Sequence, residues 1–205
     1  MKDNSSEKIR RRIRSSKQGR FFILNDFLDI TSRNTAKVEL NKLVNEGKLI
    51  RPYNGIYQKP KINKKFNFKV PPTTHEIARQ IARKNNQQIA PAGDTALNLL
   101  GLSTQVPAIY EYITNGPSRK IKISRNQIVI FKHSGTKKFI NDNADNTMIF
   151  ETLHFLKFDE LDDHKLKILS NNIDRNRYNQ LSNFAKGSTE KVRNIIDKMG
   201  EYINA

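Results

Sequence analysis

Residues 20–58 read RFFILNDFLDITSRNTAKVELNKLVNEGKLIRPYNGIYQ, and the order of signals in this stretch decides the fold. Phe21, Phe22 and Ile23 form either a short strand or plain core. Asn25 is placed to cap a short helix carrying Phe27 and Leu28, and Thr31 and Ser32 make a turn and the next cap. Over residues 32–46, Ala36, Leu40, Leu43 and Val44 recur at the spacing of one buried helical face, and Gly47 stops that helix. Residues 49–51 then face residues 56–58 across Asn54-Gly55, a two-residue hairpin signal because both residues tolerate positive φ. Pro52, which has no amide to donate, restricts its strand to a sheet edge. Helix, turn, helix and hairpin in this order predict a winged helix-turn-helix.

Working outward, Asn4 with Glu7 three residues later resembles a capping box, and Ile9 and Ile13 predict a first helix over residues 5–16, ended by Gly19. Residues 61–72, lysine-rich and closed by Pro71-Pro72, read as a linker, with Phe66 and Phe68 suggesting that part of it docks. The expected organisation is therefore a winged helix-turn-helix over residues 1–60, the linker, and a mixed domain over residues 73–205. In that second domain, Ile77, Ala78 and Ile81 predict a helix over Thr74–Lys84, and Asp94 is placed to cap another carrying Ala96, Leu97 and Leu100. Strand-like runs at 108–114, 119–123 and 127–131, separated by Asn115-Gly116 and by residues 124–126, suggest an antiparallel meander. Beyond Asn141 the pattern turns helical, with three or four helices. The fold class expected is α+β: the winged unit, then a small antiparallel sheet and a helical C-terminal part.

The net charge is +17 in 205 residues. Residues 1–69 hold 18 Lys+Arg against 6 Asp+Glu, whereas residues 70–205 hold 19 against 14, so the excess is concentrated where the winged unit lies. Such self-repulsion points to a polyanionic partner, DNA, RNA or an acidic membrane. Nowhere does an apolar run approach membrane-spanning length, and no apolar stretch follows the opening residues, so a cytoplasmic protein without a membrane partner is expected. The absence of cysteine excludes disulfides and thiolate chemistry.

On a helical wheel the apolar stripe leaves Asn34, Thr35, Val38, Asn41 and Lys42 on the opposite side, the face suited to a major groove. Asn bonds the N6/N7 edge of adenine and an outward valine covers a thymine methyl, so these residues are the candidate base contacts. Arg10, Arg11, Arg12, Arg14, Lys17, Arg20, Arg33 and Lys37 surround them as candidate phosphate contacts, with Arg51, Tyr53 and Asn54 at the hairpin tip.

Catalysis finds no support in the sequence. His75, His133, His154 and His164 are scattered without metal-ligand spacing, and the Asn-Asp stretch at 141–146 lacks the glycine and terminal glutamate of a calcium loop. No phosphate loop or nucleophile elbow is present, and the paired carboxylates Asp159-Glu160 and Asp162-Asp163 suit a helix N-terminus. Neither a metal nor another cofactor is expected. A basic RNA- or ribosome-associated protein is the competing class, but its stacking platforms require aromatic residues, and these make up only 8% of the chain.

Two stretches carry a resemblance to a known family. One is LVNEGKLIR at 43–51 followed by Asn54-Gly55-Ile56-Tyr57. The other, more distinctive, is AGDTALNLLGLSTQVP at 92–107, with Tyr112, Thr114 and Gly116 behind it. In these the chain resembles the AbiEi-type antitoxins of bacterial type IV toxin-antitoxin, or abortive-infection, systems, over roughly residues 5–135. The resemblance implies a repressor that binds its own promoter on double-stranded DNA and opposes a nucleotidyltransferase-like toxin without necessarily binding it. It also marks the polar turn Ser103, Thr104 and Gln105 as a candidate functional element of the antitoxin domain.

Overall fold

The computed structural model describes residues 5–140, 143–156 and 161–204. Asn4, the first two residues of the 141–146 stretch and Asp159-Glu160 lie outside them. The protein is α+β and divides into two compact units, Met1–Asn86 and Gln87–Ala205.

In the first unit, α1 (Ser5–Ser15) buries Ile9 and Ile13, four residues apart on one face. Strand β1 (Phe21–Ile23) follows and leads into the short helix expected from the sequence, which is a single 3-10 turn, Leu24–Phe27. Asp26 rather than Asn25 caps this turn, its carboxylate accepting the Ile23 amide at 3.0 Å. Ser32 then caps α2 (Arg33–Asn45) through the Thr35 amide. At the other end Gly47 takes φ of 69°, and Lys48 and Gly47 donate to the carbonyls of Leu43 and Val44, the double bond that satisfies a helix C-terminus. Strands β2 (Ile50–Tyr53) and β3 (Ile56–Gln58) complete an antiparallel sheet in the order β1-β3-β2. Pro52 does lie in an edge strand, where the register shifts between Ile50 and Tyr53. Ile9, Ile13, Phe22, Phe27, Ala36, Leu40, Leu43, Leu49 and Tyr57 form one core beneath these elements.

Three sequence expectations about this region are corrected. Residues 61–72 are no open linker: β4 (Lys61–Asn63) pairs antiparallel with β5 (Phe68–Val70), and the Ile62 amide donates to Gln18 Oε1. The unit does not end there either, because α3 (Thr74–Lys84) touches β1 and β3. Arg83 pairs with Asp26, and Lys84 Nζ donates to the Asn54 carbonyl at 3.0 Å. Proline and lysine content signalled a boundary, but these long-range polar bonds tie the segment back. Phe66 and Phe68 are exposed, not docked.

The second unit carries a four-stranded sheet in the order β6-β7-β9-β8, with β6 (Ile89–Pro91), β7 (Ile109–Thr114), β8 (Arg119–Ser124) and β9 (Gln127–His133). The meander is therefore corrected: β8 and β9 form an antiparallel hairpin, but β7 pairs with β9 in parallel and with β6 antiparallel. Tyr112, Thr114, Val129 and Phe131 are fully buried in the two central strands, whereas the edge strand β8 alternates exposed and half-buried residues and the opposite edge, β6, is buried throughout. The short helix α4 (Gly93–Leu99) has Ala92, not Asp94, at its cap position. Four helices follow, α5 (Ala144–Phe155), α6 (Asp163–Asn171), α7 (Arg175–Ala185) and α8 (Glu190–Asn204). They share a core that includes Ile149, Leu153, Leu169, Leu181, Ile196 and Met199. Asp162 caps α6 through the Lys165 amide, as expected for a carboxylate at a helix N-terminus.

The polar anchor of the first unit is Arg10. Its Nε pairs with Glu39 at 2.6 Å and its two terminal nitrogens grip both oxygens of Glu46. Hydrogen bonds from Arg10 and then Lys48 pull the Glu46 carboxyl down to about 2, below its ordinary 4.5. A carboxyl lowered on folding adds stability that is complete above its unfolded value and disappears as pH falls through the folded one. The melting temperature is therefore expected to drop on acidification from pH 4.5 towards 2, with a shallower dependence in Glu46→Gln. A second outcome concerns Gly55, which takes φ of 72° with Lys84 Nζ 3.1 Å from where a Cβ would stand. Gly55→Val is expected to cost about 1–3 kcal/mol in thermal or denaturant unfolding.

Candidate nucleic-acid interface

The stripe that α2 buries is Ala36, Glu39, Leu40 and Leu43. A helix turns about 100° per residue, so this stripe forces Asn34, Thr35, Val38 and Lys42 outward. All four are exposed, Val38 at 54%. Arg33, Lys37 and Asn45 are exposed beside them, and no acid is among the exposed residues of the helix, because Glu39 points inward. Asn41 sits at the margin. It is half-buried, and its Oδ1 accepts the Tyr57 hydroxyl at 3.1 Å, which leaves its amide hydrogens as the outward polar group. Val44, read from the sequence as core, is only partly buried.

Beside α2 stands the β2–β3 turn. The Arg51 guanidinium donates to Asn54 Oδ1 and lies over the Tyr57 ring, 5.9 Å from its centroid. Asn54 is exposed, Tyr53 is half-buried, and Lys84 holds the turn from behind through the Asn54 carbonyl. Burial raises the Tyr57 phenol above its ordinary value, so it remains the hydrogen-bond donor to Asn41.

The candidate phosphate contacts divide into two groups. Arg10 is engaged by Glu39 and Glu46, and Arg12 by Asp29 and the Asp26 carbonyl, with the Asp29 carboxyl held below its usual range by that hydrogen bonding. Both forks are committed within the unit. Arg14 pairs with Glu7 where both are exposed, a contact that contributes little, and Arg33 reaches Asn25 Oδ1 at 3.2 Å. Lys17, Arg20 and Lys37 are exposed, as is Arg11, and Arg20 also lies 5.7 Å from the Phe22 ring centroid.

Sequence reasoning missed Glu39, Lys59 and Lys84. Glu39 is 3% exposed yet stands on what composition reads as a polar helix. Its position three residues after Ala36 and one before Leu40 placed it on the apolar stripe and could have revealed it. Lys59 Nζ donates to the carbonyls of Ile13, Arg14 and Ser16 and so caps the end of α1, a long-range partnership with no local signature.

In the second unit, Ser103, Thr104 and Gln105 form a turn held by Asn98, whose amide donates to the Gln105 carbonyl at 2.9 Å, while the Gln105 amide donates to Ser103 Oγ. Thr104 and Gln105 are exposed. The histidines stay apart: His133 Nδ1 lies 2.9 Å from the Gly116 carbonyl oxygen, and His154 packs edge-on to Phe150. Among the described residues no group of three or more histidines and carboxylates is placed to hold a metal ion, and no helix is long and apolar enough to cross a membrane.

A family model matches residues 8–181. The chain belongs to DUF6088, a family of unknown function. No curated protein matches it. Among solved structures, the crystal structure of the RV2827C protein from Mycobacterium tuberculosis overlaps 97% of this DUF6088 chain and 78% of its own, at 13% identity and a TM-score of 0.44. That likeness is too loose to carry fold or function from one chain to the other.

The division among the cations has a measurable consequence for the DUF6088 protein. Arg10→Ala strands the buried Glu39 carboxylate and is expected to lower the melting temperature, and Arg12→Ala, whose partner Asp29 is exposed, is expected to lower it less. Lys17→Ala and Lys37→Ala are expected to leave it unchanged.

Proposed function

We propose that the first unit is a winged helix-turn-helix that reads duplex DNA through α2, and that this DUF6088 protein is a cytoplasmic, non-enzymatic repressor of its own operon. The observation that carries the reading is the outward face of α2, where Asn34, Thr35 and Val38 stand exposed among Arg33, Lys37 and Lys42 without an acid. A thymine methyl would give the exposed Val38 an apolar partner. The element order supports the reading: helix, strand, 3-10 turn, helix and hairpin, with the first strand paired to the last. In this assignment α2 enters the major groove, the β2–β3 turn meets the adjacent backbone through Arg51 and Asn54, and Lys17, Arg20, Lys37 and Arg11 serve phosphates. Arg10 and Arg12 position α1 against α2 and the 3-10 turn.

The antitoxin role rests on the resemblance of residues 92–107 to AbiEi-type antitoxins, with a nucleotidyltransferase-like toxin as the functional partner. Ser103, Thr104 and Gln105, presented by Asn98, are the element of the second unit assigned to that role.

Gel-shift titration against duplex DNA from upstream of the reading frame tests the reading. With about six phosphates neutralised, affinity is expected to fall on the order of 10³-fold between 50 and 200 mM salt. Asn34→Ala and Val38→Ala should relax sequence preference, and Lys17→Ala and Lys37→Ala should weaken all duplexes alike and flatten the salt slope. Equal competition by a single-stranded oligonucleotide would sink the duplex reading. Co-expression with the neighbouring gene product tests the antitoxin role, rescue of growth being the expected result.

A further inference from the structure

The β4–β5 hairpin belongs to neither the core of the first unit nor the face of α2. Ile62, Phe66 and Phe68 are 41%, 66% and 49% exposed, and the Phe66 and Phe68 rings lie 6.4 Å apart. Two neighbouring phenylalanines in water are unfavourable, and a contiguous exposed apolar group of this kind marks a contact surface. The backbone that carries them is fastened. Asn63 Oδ1 accepts the amides of Lys65 at 3.0 Å and Phe66 at 3.3 Å, and Asn67 takes a left-handed φ of 49° to close the turn.

Charge selects the partner. Lys61, Lys64, Lys65 and Lys69 are exposed around the aromatic tip, with Lys65 Nζ 5.4 Å from the Phe66 centroid. Residues 47–75 contain seven Lys and Arg and no Asp or Glu. An apolar tip on a cationic stem suits a partner that is anionic outside and apolar between its layers, which is the chemistry of a stacked duplex. The hairpin leaves β3 at Lys59, the end of that strand away from the Asn54-Gly55 turn, and Ile62 lines a groove with Ile13 and Arg14 of α1 and with Leu43 and Lys48.

Resting on the reading of this unit as a duplex reader, we infer that β4–β5 is a second DNA arm. Its lysines take phosphates, and Phe66, backed by Phe68, wedges into a base step from the minor groove and bends the duplex.

The test uses the full-length chain and a short upstream duplex labelled at its two ends, with affinity read by anisotropy and bending by energy transfer between the labels. Binding of the natural chain should shorten the end-to-end distance. The double variant Phe66→Ala, Phe68→Ala should lose affinity about tenfold, abolish the shortening and keep the salt slope. Lys64→Gln with Lys65→Gln should instead reduce the log–log salt slope by about two. Both variants change exposed side chains, and an unaltered melting temperature confirms that each is folded. If the natural chain binds and bends the duplex and the phenylalanine variant does the same, the arm is overturned while the α2 reading stands. If the natural chain ignores the duplex, the α2 reading falls and the arm with it. Phenylalanine-dependent sedimentation with phosphatidylserine vesicles, without an effect on DNA, assigns the hairpin to an anionic membrane and overturns it as well.

Discussion

A thirteen-residue helix can bury one stripe, and in α2 that stripe contains a carboxylate. Glu39 lies among Ala36, Leu40 and Leu43, where a bare charge would be heavily penalised by the loss of water. Arg10 answers it across the α1–α2 contact and extends the same guanidinium to Glu46 at the end of α2. The ion pair adds little net stability over an apolar pair of the same size, but it admits few alternative arrangements. A rotation of α2 about its axis would strand Glu39, so the helix is keyed, and the identity of its outward residues follows from that keying.

The same economy governs the other basic side chains of the first unit. Arg12 braces α1 against Asp29 and the 3-10 turn, Arg83 ties α3 to Asp26, Lys59 closes the end of α1, and Lys84 supports the turn at Asn54. These charges are spent on internal carboxylates and carbonyls. What faces outward is the remaining basic set on α2, at the end of α1 and on β4–β5. Net charge therefore overstates how many cations of the first unit lack an internal role.

Legibility differed sharply between kinds of feature. The bounds of α2 and the β2–β3 turn could be read because each rests on local chemistry: Ser32 caps, Gly47 reverses, Asn54-Gly55 turns, and apolar residues recur at helical spacing. The edge position of Pro52 followed from its missing amide. By contrast, the β4–β5 pairing was hidden behind a composition that reads as linker, because lysine content says nothing about whether Asn63 folds its side chain onto the next amides. The extent of the first unit was likewise hidden, since α3 belongs to it through Arg83 and Lys84, whose partners lie dozens of residues away. The placement of β9 between β7 and β8 was hidden too, because the parallel pairing of β7 with β9 joins strands that are not consecutive in the chain.

The sequence by itself determined the α+β class, the face of α2 that is apolar, the hairpin beside it and the concentration of positive charge in the first third of the chain. Periodicity, caps and turn residues act over a few bonds, and they are written in neighbouring residues. Only the tertiary structure decided which arginines are already paired, that Glu39 is inside, that β7 lies parallel to β9, and that Phe66 and Phe68 stand in solvent. Each of those depends on the desolvation and pairing of groups distant along the chain, and such energies exist only once the chain has closed on itself.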